Sequence, residues 1–396
     1  MPLSLFALFF AAFAYGTTEF VIAGILPEVA EGLSVTIPTA GYLVSGYALG
    51  VAIGGPLLTV VTARAARKNL LLALLVMFTL GQLACALAPT YASMLALRFA
   101  TAISHGCFFG VAMVVAVSLV PVERRGRAIA IILAGLTVSN VIGVPIGSAI
   151  GGMFGWRATF WAMFGLGLLS LAAIALLLPR SVGPAHQPGN LGREVRALGR
   201  QQVWTSVIIM LMLMIAQMMP YTYITPLLRS VTGLAENTVP WVLLLIGVGA
   251  TVGVLIGGRL ADWKLMPSLI SMLAIQAVMM GIMYLVAPYP LPMIAVLMVW
   301  GGLNFSIGTP IQARILGWTA DAPNLASALI PAGFNIGIAI AASLGALVLS
   351  AGLPYRALPL LGLASMAVAT AVASLSWWAE RRSGRSAPLP GSAQEA

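Results

Sequence analysis

Charge is what this chain has least of. Only 8% of its 396 residues are Asp, Glu, Lys or Arg, and only two are cysteine. A soluble fold needs far more polar surface than that to cover its apolar atoms, so the soluble classes are excluded. Cys85 and Cys107 both fall inside apolar runs, where thiols act as small apolar groups; neither a disulfide nor a metal pair is indicated. Enzyme signatures are missing too. There is no His-Glu-x-x-His, no Gly-x-Ser-x-Gly and no intramembrane aspartate pair, so the chain reads as a non-enzyme without cofactor or metal. No Lys or Arg precedes the first apolar run, although Ala12-Phe13-Ala14 imitates a signal cleavage site. That run is read as a spanning helix.

What is present is apolar. Hydrophobic residues make up 60% of the chain, and the mean hydropathy is +1.03. A bilayer core takes about 20 apolar residues per crossing helix. Runs of that length fall near 3–26, 39–62, 70–88, 91–119, 128–153 and 158–178, then near 204–228, 239–261, 266–287, 291–316, 325–350 and 357–379. Continuous runs exclude barrel strands, so the expected fold is an all-α membrane protein of twelve transmembrane helices. The boundaries are a six-helix bundle over 1–179, a central loop over 180–203, a second six-helix bundle over 204–379 and a disordered tail over 380–396. Sixteen of the twenty Lys and Arg lie in alternate loops, which places both termini and the central loop in the cytoplasm. The net charge of +10 is therefore a topology signal, and no nucleic-acid partner is expected. Arg193, Arg196 and Arg200 recur at helical spacing, as either a helix on the membrane surface or a solvated linker.

Displaced by 199 residues, the chain matches itself without a gap. Pro27 falls on Pro226, Gly50 on Gly249, Gly54 on Gly253, Ala88-Pro89 on Ala287-Pro288, and Trp156-Arg157-Ala158 on Tyr355-Arg356-Ala357. Two parallel copies in a membrane chain indicate a transporter that rocks one half against the other. Small residues recur four apart on the second and eighth runs (Gly46, Gly50, Gly54; Gly249, Gly253, Gly257). They recur likewise on the fifth and eleventh (Gly143, Gly147, Gly151, Gly155; Gly333, Gly337, Ala341, Gly345). Such stripes let two backbones approach, and their symmetric placement predicts a seam between the halves.

Gly258-Arg-Leu-Ala-Asp262-Trp-Lys264 resembles the G-x-L-A-D-R/K loop signature of the major facilitator superfamily. The first-half equivalent keeps only its basic end, Arg64, Arg67 and Lys68. Arg98 stands where the family's second motif has its arginine. Gly143-Val-Pro145-Ile-Gly147 is a relaxed form of the Gly-Pro motif of proton-linked exporters, and Gly16-Thr-Thr-Glu19-Phe with Gly24-Ile-Leu-Pro27 is similar to the start of chloramphenicol-resistance and arabinose-type efflux proteins. The resemblance implies two pseudo-two-fold-related bundles, a substrate path between them, alternating access and proton exchange as the energy source. It also implies a bacterial inner-membrane location. The partners expected are a small-molecule substrate, protons and the lipid bilayer, and the chain is expected to be a monomer.

Glu19 is the acid placed inside a span. At 1.5 Å rise per residue it lies about 12 Å below the outer boundary, and Arg98 roughly 10 Å below it. A carboxylate alternating between an arginine and a proton is a simple coupling device; a permanent ion pair is the other reading. His105, seven residues past Arg98 on the same face, either relays protons, binds substrate or packs as a hydrogen-bonded histidine. Tyr15, Asn140, Gln217, Asn304, Gln312 and Asn335 are candidates for an uncharged substrate path. Asp262 is expected to meet the start of the fifth helix, near 126–129, as a cytoplasmic latch, or to remain a solvated loop acid. The titratable membrane groups are assigned to the first half alone. Export of small neutral or amphipathic molecules is the leading function, with proton symport or uniport of a sugar-like solute, or a non-transporting scaffold, as alternatives.

Overall fold

The computed structural model describes residues 2–62, 64–180 and 196–383, with the backbone alone over 323–328 and at 383. Most of the amphipathic stretch at Arg193 and the far tail lie outside these residues. The first half holds α1 (Leu3–Gly24), α2 (Ile37–Val61), α3 (Arg67–Ala86), α4 (Tyr91–Ser118), α5 (Val122–Phe154) and α6 (Trp156–Leu177). The second begins with α7 (Gln201–Thr222). A continuous apolar helix, Val239–Val286, is broken at Lys264 (φ −151°, ψ 90°) into α8 (239–263) and α9 (265–286). Then come α10 (Pro290–Trp318), α11 (Pro323–Ser350) and α12 (Ala357–Ser383). Among the described residues eleven helices are long and apolar enough to span, and the break makes twelve. Large apolar side chains such as Leu57, Val60, Val61, Leu176 and Leu291 point outward, as only a lipid surround tolerates at this density.

Local sequence explains the ends and bends. Thr90 and Ser93 form a reciprocal capping box at the start of α4. Gly155 (φ +84°) turns α5 into α6, a backbone conformation that other residues adopt only under strain. Both π-helical turns, Gly50–Gly54 in α2 and Ser139–Gly143 in α5, sit just before a proline, Pro56 and Pro145. A proline ring clashes with the carbonyl four residues back, and a widened turn relieves the clash.

The repeat is realised in three dimensions. Short helices Leu26–Gly32 and Ile224–Ser230 carry Pro27 and Pro226 at the same place after α1 and α7. Arg157 donates to Ala88 O at 3.0 Å, and Arg356 to Tyr284 O at 2.7 Å, so each ties the start of the sixth helix of its half to the end of the third.

The helices that carry the stripes do meet across the halves, α2 against α11 and α5 against α8, but the stripes themselves do not face that seam. Gly46, Gly50 and Gly54 of α2 meet Leu95, Phe99 and Ile103 of α4, and Gly249, Gly253 and Gly257 of α8 meet Met298, Gly302 and Ser306 of α10. Gly143, Gly147 and Gly151 of α5 meet Thr17 and Val21 of α1 and Ile25 just after it; Gly333, Gly337 and Gly345 of α11 meet Met210 and Met214 of α7 and Tyr223 just after it. All four stripes therefore weld helices within a half, at equivalent places in both. The physical reason is that each half must move as one body, and backbone contact without side chains is the tightest weld available in lipid.

Contact between the halves is made by other groups. Ser45 donates to Ala339 O at 3.1 Å and accepts from Ser343 Oγ at 2.9 Å, while Thr225 donates to Ala23 O at 2.7 Å. Gly41 packs on the Tyr223 hydroxyl, Gly24 on Leu243 and Gly247 on Asn140. These contacts run from the middle of the bundle to the end carrying Glu28 and Arg229. Toward the opposite end no hydrogen bond or ion pair joins the halves among the described residues. Among the described residues the halves are tied by hydrogen bonds and an ion pair at one end, termed the shut end, and by none at the other, termed the parted end.

Candidate functional site

Helix α1 is held on α5 by the Gly143–Gly147–Gly151 stripe, and this clamp straddles Glu19. Arg98 on α4 reaches α1 one residue earlier. Its guanidinium donates to Thr18 O at 3.4 Å and to Leu43 O on α2 at 3.3 Å, and it lies 4.6 Å from the centre of the Tyr47 ring. The two charges predicted at similar depth are thus neighbours, but no salt bridge joins them. Glu19 instead faces His105, with Oε2 3.9 Å from Nε2. The other ring nitrogen of His105, Nδ1, is 3.0 Å from the Tyr47 hydroxyl. Arg98 and His105 share a helix face, and Tyr47 touches both.

Tyr15 is fully buried behind His105, its hydroxyl within hydrogen-bond distance of Leu74 O (3.0 Å) and Ser104 Oγ (3.1 Å), and it packs on Phe78 and Phe108. It is a wall for His105 and does not line the cavity. A small cavity, with room for little more than a water molecule, lies where the halves meet. Glu19, Phe20 and Tyr47 border it from the first half, and Met218, Tyr221, Thr222 and Ile338 from the second. Phe20 meets Tyr221 edge-on at 6.2 Å, and Tyr221 stacks on Trp300 at 6.3 Å. Its wall is mostly apolar and aromatic, with one carboxylate.

Of the predicted path residues, Gln217 and Asn304 come together: Gln217 donates to Asn304 O at 3.2 Å. Gln276, missed in the sequence, donates to Asn304 Oδ1 at 2.5 Å. Asn304 is the repeat partner of His105, so each half carries a polar centre at the same position. Asn140 and Asn335 donate within their own helices, to Leu136 O and Pro331 O, and Gln312 is exposed away from this group. Tyr47 and Tyr221 were the chief omissions. Tyr47 lies on the Gly46–Gly50–Gly54 helix, a signal that marked the helix without marking the residue.

Arg314, one of the sixteen cations that the sequence assigns to loops, is inside α10 and 1% exposed. Its guanidinium donates to Ser206, Ser376 and Glu380, the last at 2.6 Å. Helix α12 continues to Ser383, so Glu380 belongs to that helix and is buried. Titratable groups are therefore not confined to the first half. A buried cation must be paired, and this cluster joins α7, α10 and α12.

At the shut end Arg229 pairs with Glu28 across the halves at 2.6 Å and with Glu236 at 3.2 Å. Burial raises the Glu28 carboxyl above the ordinary glutamate value, and Arg229 only partly opposes this. At the parted end Lys68 donates to Ala175 O at 2.8 Å, tying α3 to α6, while Arg67 is buried and Arg64 exposed. Asp262 is exposed, makes no ion pair among the described residues, and follows Gly258, around which the space is open.

The sequence profile of the Major Facilitator Superfamily matches residues 8–317. The chain is 38% identical over 358 residues to the inner membrane transport protein YdhP of Escherichia coli strain K12, covering 90% of this chain and 92% of that one. It is 32% identical over 343 residues to a chloramphenicol resistance protein of Streptomyces lividans, covering 86% and 87%. In fold it is similar to a bacterial homologue of the human lysosomal transporter Spinster in an inward-facing, occupied conformation, with a TM-score of 0.76, 16% identity, and coverage of 97% of this chain and 98% of that one. Sequence, helix count and paired halves agree: the chain is a membrane transporter and belongs to the Major Facilitator Superfamily.

Proposed function

We propose that this protein is a proton-coupled secondary transporter, exporting small neutral or amphipathic molecules across a bacterial inner membrane by alternating access. The observation that carries this reading is Glu19: a carboxylate at the wall of an inter-half cavity, beside Arg98 and facing His105. An acid in that position is costly unless it is neutralised by a proton or a cation, and both are at hand. With the basic loops in the cytoplasm, the parted end faces inward and substrate enters there. Closure of that end brings Asp262 to the start of α5 near 126–129, while Arg229 releases the outer end. The proton gradient supplies the energy, no cofactor takes part, and one chain suffices as a monomer. The likeness to a chloramphenicol resistance protein supports export and a substrate of that size.

The test uses everted vesicles with an inside-acid gradient. Chloramphenicol, or one solute of a panel of amphipathic drugs and sugars, is expected to collapse the gradient, and Glu19→Gln to abolish that response. A Glu19→Gln protein that exports at the full, gradient-dependent rate removes Glu19 from the mechanism. A parent protein that moves solute without moving protons removes the coupling altogether.

A further inference from the structure

The coupling reading accounts for Glu19, Arg98 and His105 but leaves Tyr47 without a role. Tyr47 is 2% exposed and borders the cavity. It contacts both groups that flank Glu19: its ring carries the Arg98 guanidinium and its hydroxyl meets His105 Nδ1. Two residues before it on the same helix, Ser45 makes the hydrogen bonds to Ala339 and Ser343 that close the halves on each other. We infer that Tyr47 is a positioning residue of the proton-coupling site, orienting His105 toward Glu19 and linking the proton state of that pair to the inter-half seam. This rests on the proton-coupled reading above.

The chemistry follows from the two ring nitrogens. With neutral His105, the Tyr47 hydroxyl donates to Nδ1, which leaves the imidazole hydrogen on Nε2, facing the Glu19 carboxylate. When Glu19 takes up a proton, its carboxyl O–H donates to Nε2, the imidazole hydrogen moves to Nδ1, and Nδ1–H donates to the Tyr47 oxygen, which must accept. One proton is added in all and the histidine stays neutral, yet the Tyr47 hydroxyl hydrogen has to turn away from His105. A residue that is both donor and acceptor is required at this point, and a tyrosine supplies it. The charged and titratable groups around this site are Glu19 and Tyr15 on α1, Tyr47 on α2, Cys85 on α3, and Arg98 on α4 with His105 itself.

Tyr47→Phe keeps the ring under Arg98 and removes only the hydroxyl. The state with Glu19 protonated then has a buried Nδ1–H without an acceptor, a larger loss than the other state suffers. In proteoliposomes the pH midpoint of transport is expected to fall by about one unit, with KM for the exported solute changed less than about twofold. A purely structural role moves the amount of folded protein and leaves that midpoint in place. An active Tyr47→Phe protein with the parent's midpoint overturns the inference. If Tyr47→Phe does not fold, His105→Gln carries the test: it is expected to flatten the pH response, and an unchanged response is equally decisive against the inference. Glu19→Gln, measured alongside, separates the levels, because full proton-coupled export by that variant defeats the underlying reading whatever Tyr47 does.

Discussion

Glu28 and Arg229 form an ion pair across the shut end, yet removing one or the other should act in opposite directions. The Glu28 side chain is 17% exposed and Arg229 35%, so solvent screens the pair and its attraction is modest. Arg229→Gln leaves Glu28 and Glu236 facing each other without a cation. With screening allowed for, the cost to the shut state is roughly 1–2 kcal/mol, a factor of about 5–30 in the ratio of shut to open molecules. Glu28→Gln removes the charge that burial disfavours and should leave the shut state as populated or more so. The pH effect has the same origin. Because the Glu28 value is raised in the shut state, closure is coupled to proton uptake: its contribution is complete below the ordinary glutamate value and is lost as pH rises through the raised one. Spin labels at Glu31→Cys and Asn237→Cys, both exposed at this end, report the distance between the halves, since native Cys85 and Cys107 are buried. Arg229→Gln should enlarge the long-distance population, and acidification should shrink it in the parent more than in Glu28→Gln. An Arg229→Gln distribution unchanged within about twofold, or a Glu28→Gln protein that opens as far as Arg229→Gln, refutes the argument.

Two further predictions concern the frame. Gly253→Ala places a methyl group against the Gly302 carbonyl, where backbone cannot yield, and is expected to cost about 1–3 kcal/mol; Gly258→Ala meets open space and should be neutral or slightly stabilising. Melting temperatures of the two purified variants make the comparison. Arg314→Leu leaves Glu380 buried without this cation and should lose about 3–5 kcal/mol, seen as a lower melting temperature and a poorer yield of monodisperse protein.

What the sequence settled by itself was the set of properties that depend on composition along the chain. Apolar length set the number of spans, Arg and Lys bias set an expected orientation, and the 199-residue repeat set the two halves. It also brought out Glu19, Arg98 and His105, because a titratable group is conspicuous in an apolar run. Rotation about each helix axis was a different matter. In water a helix shows its buried face by an apolar stripe, but here lipid and protein interior are both apolar, so the faces look alike. Only tertiary structure could turn the glycine stripes inward to weld each half, set Tyr47 between Arg98 and His105, and carry Arg314 from an assumed loop into a buried pair with Glu380. Those choices rest on contacts between residues far apart in the chain, and spacing along the chain holds no record of them.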